Sequence, residues 1–377
     1  MNWIKHIAGL LLILFACSCN VTKHIPENDA LYLGSTIKIK PVNDSIKFDS
    51  KEVKEELDAL LRPRPNASFL GIKYKLAIYN LAGTPTGHGL RYWLKTKVGE
   101  PPVFGSSVNL EKNRQILENR VENRGYFRST VTVDTTIKKK ALKVTYTASL
   151  NPQYKIRNVT YVIDSTPLGR QLRNLSKFSF LKPGNPYDLD VIKAERERND
   201  GRLKERGFYF FNPDFLIIDV DSTVGNHQVD MYVKIKNETP DKAEHIYRIN
   251  DVIVYADYNL VNDTAAISAK EQAVKYDYYY IYDLDKKFNP KVFSRTLVFK
   301  PGDPYNRTAH NLALNRLVSL GVYKFVRARF QETDTTKVPT LNAFYYLTPA
   351  PKKSLRLELS GLTKSNNSTG TELSLTW

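Results

Sequence analysis

Lys300-Pro301-Gly302-Asp303-Pro304-Tyr305-Asn306 opens the stretch that carries the strongest structural signal in this chain, and Gly321-Val322-Tyr323-Lys324-Phe325-Val326 continues it. Gly and Pro at these spacings break periodic structure, so residues 301–305 read as a turn. Behind it Ala309, Leu312, Ala313, Leu317 and Leu320 recur at steps of three or four, which makes one apolar face of a helix. Asn306 sits where a side-chain oxygen can cap that helix. Gly321 follows the last apolar position, where a helix ends in a left-handed conformation that glycine adopts cheaply. The period then changes to two. Val326, Ala328 and Phe330 alternate with Arg327 and Arg329, and after the polar stretch Glu332 to Lys337 a second run alternates Leu341, Ala343, Tyr345 and Leu347. The unit is helix, glycine, strand, turn, strand.

Upstream the unit occurs twice more. Gly99-Glu100-Pro101 opens one copy, with Leu110, Leu117 and Val121 on a helix, Gly125-Tyr126-Phe127, and strands at Val131–Val133 and Leu142–Ala148. Pro183-Gly184-Asn185-Pro186-Tyr187 opens another, with Gly207-Phe208-Tyr209 and strands at Phe215–Val220 and Val229–Ile235. The helix before Gly207 is poorly patterned, because Asn199, Asp200 and Gly201 interrupt it; a mid-helix Gly costs about 1 kcal/mol against Ala. Gly125, Gly207 and Gly321 are expected to be structural, and their spacing suits domains of about 100 residues rather than a tight solenoid. Strands at Thr36–Lys40, Ile156–Ile163 and Ile249–Tyr255 precede the three copies, and residues 49–61 add a helix that Pro63 and Pro65 stop. The expected fold is α+β: tandem domains over 35–150, 151–240 and 241–351, each a strand-helix-helix-strand-strand unit with a three-stranded mixed sheet and two helices on one face.

At the N-terminus Lys5 precedes an apolar run, Ile7 to Phe15, which is too short to span a bilayer and reads as a secretory signal over residues 1–16. Leu14-Phe15-Ala16-Cys17 resembles a lipobox, so Cys17 is the expected lipidated residue, with Cys19 as the alternative acceptor and an ordinary signal peptide as the other reading. Residues 17–34 then form a tether. Both cysteines lie in this segment, which leaves the following domains without an internal disulfide or a thiolate metal site. The formal charge of +17 points to acidic company: phosphate-bearing lipid, an acidic partner, or nucleic acid. Export argues against nucleic acid, and no run of basic and aromatic residues forms a stacking platform. Residues 68–97 are aromatic and basic, and fit either an amphipathic surface against membrane or a packed face.

Catalytic signals are absent. Six histidines are scattered without ligand spacing, and Thr86-Gly87-His88-Gly89 lacks the lysine and helix of a phosphate loop. Glu195 and Glu197 among Arg196 and Arg198 read as a solvated helix face. Neither enzymatic activity nor a cofactor is expected. At residues 352–377, Leu355, Leu357 and Leu359 alternate with polar residues, as do Leu373, Leu375 and Trp377. This looks like the first hairpin of a transmembrane β-barrel, too few strands to close one, so either the barrel is truncated here or these strands pair elsewhere.

These motifs resemble POTRA domains, the modules that precede outer-membrane barrels of the BamA/TamA superfamily. Gly302-Asp303-Pro304-Tyr305 with Leu320-Gly321-Val322-Tyr323, Gly184-Asn185-Pro186-Tyr187 with Arg206-Gly207-Phe208-Tyr209, and Arg124-Gly125-Tyr126-Phe127 carry the likeness. With Thr22-Lys23-His24-Ile25-Pro26 behind the cysteines, the chain is similar to TamL-like lipoproteins of Bacteroidota. The resemblance implies an outer-membrane assembly factor, lipid-anchored with its domains in the periplasm. It also implies three partners: outer-membrane lipid, a TamB-like periplasm-spanning protein, and unfolded outer-membrane or surface proteins. A lipid-anchored scaffold or ligand-binding lipoprotein without insertase activity is the alternative. A small sheet covered on one face leaves edge strands that accept an extended guest. Val326, Arg327, Ala328, Arg329 and Phe330 are the expected partner-strand edge, with Arg327 and Arg329 facing away from the core; the same arginines also fit a merely solvated strand. On this reading a proline at Arg327 removes an N–H from the edge.

Overall fold

A computed structural model describes residues 22, 25–43, 50–259, 273–283, 285–333, 338–351, 353, 355–363 and 369–376. Cys17 and Cys19 lie outside the described residues. The chain begins with β1 (Leu31–Pro41), α1 (Ser50–Leu60), α2 (Tyr74–Ala82) and α3 (Leu90–Trp93, continued by a π-helical turn over Leu94–Val98). Then come α4 (Leu110–Asn123), β2 (Thr130–Lys138), β3 (Ala141–Leu150), β4 (Lys155–Tyr161), α5 (Pro167–Ser176), α6 (Leu189–Lys204), β5 (Leu216–Asp221) and β6 (Gln228–Ile235). The remainder is β7 (Arg248–Tyr255), β8 (Val274–Tyr276), β9 (Tyr279–Tyr282), α7 (Pro290–Thr296), α8 (Arg307–Ser319), β10 (Tyr323–Glu332), β11 (Thr340–Pro349), β12 (Arg356–Thr363) and β13 (Thr369–Thr376). This is a mixed α+β chain with several small sheets.

The chain packs as two compact units, one of Met1–Val159, Leu181–Ile192 and Val220–Met231, the other of Thr160–Phe180, Lys193–Asp219 and Tyr232–Trp377. In the first, a sheet of order β1-β3-β2 pairs β3 parallel to β1 and antiparallel to β2. Its core follows from period-matching. Leu142, Val144, Tyr146, Ala148 and Leu150 take every second position of β3, and Val53 and Leu57 of α1 meet Leu117 and Val121 of α4 above them. Fully burying a side chain of this size contributes about 1.5–3 kcal/mol. β1 starts at Leu31, and Leu31 and Tyr32 are buried, so the last residues expected in the tether belong to the sheet. A tether has no apolar alternation, whereas Leu31, Ile37 and their neighbours have a sheet face to cover. A separate three-stranded sheet has the order β4-β6-β5.

The second unit corrects two further expectations. Its largest sheet has five strands, β10-β11-β7-β9-β8, not three, because the tyrosine-rich stretch forms β8 and β9 and pairs beyond β7. The second concerns the charged face of α6, a helix that does run, as expected, unbroken through Asn199, Asp200 and Gly201. Between its buried Ile192 and Leu203 the inward positions are polar: Glu195 and Asn199 are wholly buried, while Glu197 is exposed. Glu195 is therefore no solvated charge. It accepts two hydrogen bonds from Arg198 at 2.6 and 2.9 Å, one from the Phe180 N–H at 3.0 Å and one from Asn199 Nδ2 at 3.0 Å. Burial alone would raise its pKa, but Arg198 and the Phe180 N–H outweigh it and hold the carboxyl below its ordinary value.

Among the described residues β12 and β13 pair only with each other, Leu357 opposite Leu375 and Leu359 opposite Leu373. All four leucines are exposed. No closed barrel is present among the described residues.

Candidate functional site

β10 is built by alternation. Val326 and Ala328 are half-buried and Phe330 buried, while Arg327 and Arg329 are exposed. α8 packs behind it, capped as its sequence implies: Asn306 Oδ1 accepts from the Ala309 N–H at 2.8 Å. Ala313 and Leu317 are the buried positions of that helix; Leu312, expected on the same face, is exposed. Gly321 then takes φ +68°, and the chain turns into β10.

Phe330 fixes the strand from behind. Its ring lies 5.2 Å from Tyr305, 5.7 Å from Phe299, 5.6 Å from Tyr209 and 4.7 Å from His310. Aromatic pairs at these separations and tilts add about 0.5–1.5 kcal/mol beyond area burial. The Tyr305 hydroxyl and His310 Nδ1 are 3.1 Å apart. Burial, with the Arg307 charge added, holds the His310 imidazole below its ordinary pKa. Burial pushes the Tyr305 hydroxyl well above its usual range. At the far end of the strand the Tyr247 hydroxyl donates to Glu332 Oε1 at 2.8 Å, and burial followed by that contact raises Tyr247.

β10 is an end strand of its sheet, hydrogen-bonded on one side to β11. The opposite end is β8, only three residues long, which is how natural sheets blunt an edge. β10 runs for ten residues, so the sheet has one short end and one long one. The register tells which groups the long edge offers. Glu332 stands opposite Leu341, so Thr333 stands opposite Thr340, and the Thr333 N–H donates to the Thr340 carbonyl at 3.1 Å. In an antiparallel ladder a directly opposed, bonded pair alternates with an unbonded one. Gln331, Arg329 and Arg327 therefore bond inward to Asn342, Phe344 and Tyr346. The outward N–H and C=O groups belong to Val326, Ala328, Phe330 and Glu332. This corrects the expectation for Arg327: its side chain points to solvent, but its N–H is spent within the sheet, and a proline there would cut the ladder.

The sequence reading missed what seats this strand. Tyr209 and Phe210, behind Gly207, reach Tyr305 at 4.7 Å and Tyr247 at 5.0 Å. The Tyr247 N–H donates to the Gly207 carbonyl at 2.9 Å. Gly207 has φ +99°, and a Cβ there would stand 2.6 Å from Ile246 Cγ2. Glu205 Oε1 accepts from the Thr308 N–H at 3.0 Å, placing a negative charge at the start of α8, where the helix dipole favours it. Arg307 pairs with Asp200 at 2.6 Å. A signal existed, since Tyr126-Phe127 behind Gly125 does likewise: Phe127 lies 4.8 Å from Tyr154 and 4.9 Å from Tyr187. Gly125 has φ +83°, and a Cβ would meet the Tyr187 carbonyl at 2.8 Å. In both copies the glycine ends a helix and also lets the following aromatic residues lie against the next motif. β2 holds the same end position in its own sheet as β10, which the sequence reading did not single out.

No family model matches the chain, and no curated protein does. Among solved structures, the chain is similar to POTRA domains three to five of Haemophilus influenzae BamA at 13% identity and a TM-score of 0.40, covering 86% of this chain and 99% of that one. POTRA domains one to three of Omp85 from Anabaena align at 13% identity and a TM-score of 0.27, covering 87% and 98%. The N-terminal domain of Omp85 from the cyanobacterium Thermosynechococcus elongatus aligns at 12% identity and a TM-score of 0.27, covering 87% and 100%. Likenesses at these scores assign no activity, client or partner.

Proposed function

We propose that this chain is the periplasmic portion of an outer-membrane protein assembly factor of the BamA/TamA type, one that receives extended client or partner strands and passes them to a C-terminal barrel. The observation that supports it most is the long end strand β10, rigidly backed by Phe330, with the main-chain groups of Val326, Ala328, Phe330 and Glu332 directed outward. Main-chain bonding supplies affinity with little dependence on the guest's side chains, which suits a protein that handles many different barrel strands. The role is non-catalytic and needs no cofactor: positions are offered to a strand, and nothing is cleaved. Cys17, or Cys19 in its place, anchors the chain to outer-membrane lipid, and the partner is a TamB-like periplasm-spanning protein. The β12–β13 hairpin, with its face of exposed leucines, is the start of the barrel.

A photo-cross-linking residue at Arg329, whose side chain is exposed beside the outward groups, tests this reading. Capture of extended outer-membrane protein segments or of a β-rich partner is expected. Exclusive capture of folded soluble proteins, or no capture in a folded variant, rejects it.

A further inference from the structure

Between α1 and α4 the first unit carries an excursion that the strand-helix-helix-strand-strand unit does not require. From Arg62 to Gly99 the sequence has seven basic residues, Arg62, Arg64, Lys73, Lys75, Arg91, Lys95 and Lys97, and no Asp or Glu. α2 turns Leu76 and Ala82 inward, Leu76 against Ile25 and Leu31. The other face of the helix is apolar too. Tyr74, half-buried Ile78 and Leu81 lie at helical spacing on it, and Leu81 is 81% exposed. In α3 and its π-helical continuation Leu90 is 72% and Trp93 51% exposed, and the loop before α2 presents Phe69 and Leu70 at 69% and 86%.

These residues are exposed on a well-tied scaffold. Lys95 Nζ donates to the Gly83 carbonyl at 2.6 Å and lies over the Tyr79 ring. The Glu100 N–H donates to the Lys75 carbonyl at 3.1 Å, and Glu100 accepts from the Ala67 N–H at 2.9 Å. Gly99 admits no side chain, since a Cβ would stand 2.9 Å from Tyr79 Cα. The excursion thus exposes Phe69, Leu70, Leu81, Leu90 and Trp93, and in the same stretch Arg62, Arg64, Arg91 and Lys97. A monomer gains nothing from holding large apolar side chains in water. Exposed aromatic and aliphatic residues interspersed with cations, in a stretch whose sequence holds no Asp or Glu, match the boundary between headgroups and acyl chains of an anionic bilayer.

We infer that the 62–99 excursion is a membrane-contact surface that seats the first unit on a bilayer bearing anionic phospholipid. Leu81, Leu90 and Trp93 enter the acyl boundary, and Arg91 and Lys97 meet the phosphates. No helix among the described residues is long and apolar enough to cross a membrane, so the contact is interfacial. Such a contact requires neither strand capture by β10 nor acylation of one particular cysteine.

The test uses the full chain with Trp3→Phe and Trp377→Phe, so that Trp93 alone reports. The chain is mixed with vesicles of phosphatidylcholine containing brominated lipid, with and without phosphatidylglycerol. On the anionic vesicles Trp93 emission should shift to shorter wavelength and be quenched, and 0.5 M salt should reverse both. Each cation near an anionic surface contributes about fivefold in partitioning, so Arg91→Gln with Lys97→Gln should weaken vesicle binding, read from Trp93, about twenty-fivefold. Leu81→Ser with Leu90→Ser, both at exposed positions, should weaken it while thermal unfolding stays unchanged. An unshifted, unquenched Trp93 overturns the inference, whether the chain is held on the vesicles by its N-terminus or fails to bind. Equal quenching on phosphatidylcholine alone overturns it as well.

Discussion

Proline placed at two neighbouring positions of β10 separates a strand that merely closes a sheet from one that accepts a guest. Arg327 bonds inward to Tyr346, while the Ala328 N–H points outward. Either proline pulls φ towards about −65°, at a cost of roughly 1 kcal/mol. Arg327→Pro also removes a ladder bond from inside the sheet, adding about 1–3 kcal/mol. Ala328→Pro keeps every bond in the sheet and removes only an outward donor. Losing one main-chain bond to a guest costs about 1 kcal/mol net, or about fivefold in affinity, and the ring blocks approach besides. Thermal unfolding of each variant, run beside cross-linking from Arg329, gives the comparison. Ala328→Pro should fold nearly as the parent and cross-link at least fivefold less; Arg327→Pro should show its larger effect in stability. Ala328→Pro cross-linking at the parent level in a folded chain refutes the edge, and equal destabilisation by both prolines refutes the ladder phase.

Gly207→Ala should destabilise more than Gly321→Ala in thermal unfolding. Both carry positive φ, worth about 1–2 kcal/mol, but Gly321 has open space around its Cβ position and Gly207 has Ile246 within 2.6 Å. Glu195→Gln should cost about 3 kcal/mol, because it strands the mostly buried Arg198 without its counter-charge. Since the Glu195 pKa is depressed on folding, its contribution is full above the ordinary value near 4.5 and fades as pH falls through the folded value; acid titration of unfolding, compared between parent and variant, checks this. His310 is depressed from 6.5, so the unfolded chain takes up its proton first, and stability should fall as pH drops through 6.5 and level off below the folded pKa. His310→Asn should flatten that slope. Fatty-acid labelling should vanish in Cys17→Ala and persist in Cys19→Ala; the opposite result moves the anchor to Cys19.

What the sequence made legible was whatever side-chain period encodes. The Pro-Gly-x-Pro-Tyr turn, the Asn306 cap, positive φ at Gly321 and the inward face of β10 all follow from residue type and spacing. Two features escaped it for different reasons. α6 buries Glu195 and Asn199 where an apolar stripe would be sought, so a helix held partly by ion pairing and hydrogen bonds has no hydrophobic period to find. β8 and β9 join their sheet through backbone pairing, and a run of tyrosines shows no clean alternation. The edge was half-legible. A period of two fixes which face a side chain takes, but which N–H groups face the neighbour depends on register, and only the Thr333–Thr340 bond set it.

The central claim, that the chain hands strands to an outer-membrane barrel, is met most directly by depleting it and quantifying folded β-barrel proteins in the outer-membrane fraction. The account predicts that a subset of those proteins falls and that their unfolded forms accumulate in the periplasm. Unchanged barrel levels, with the depletion verified, contradict it.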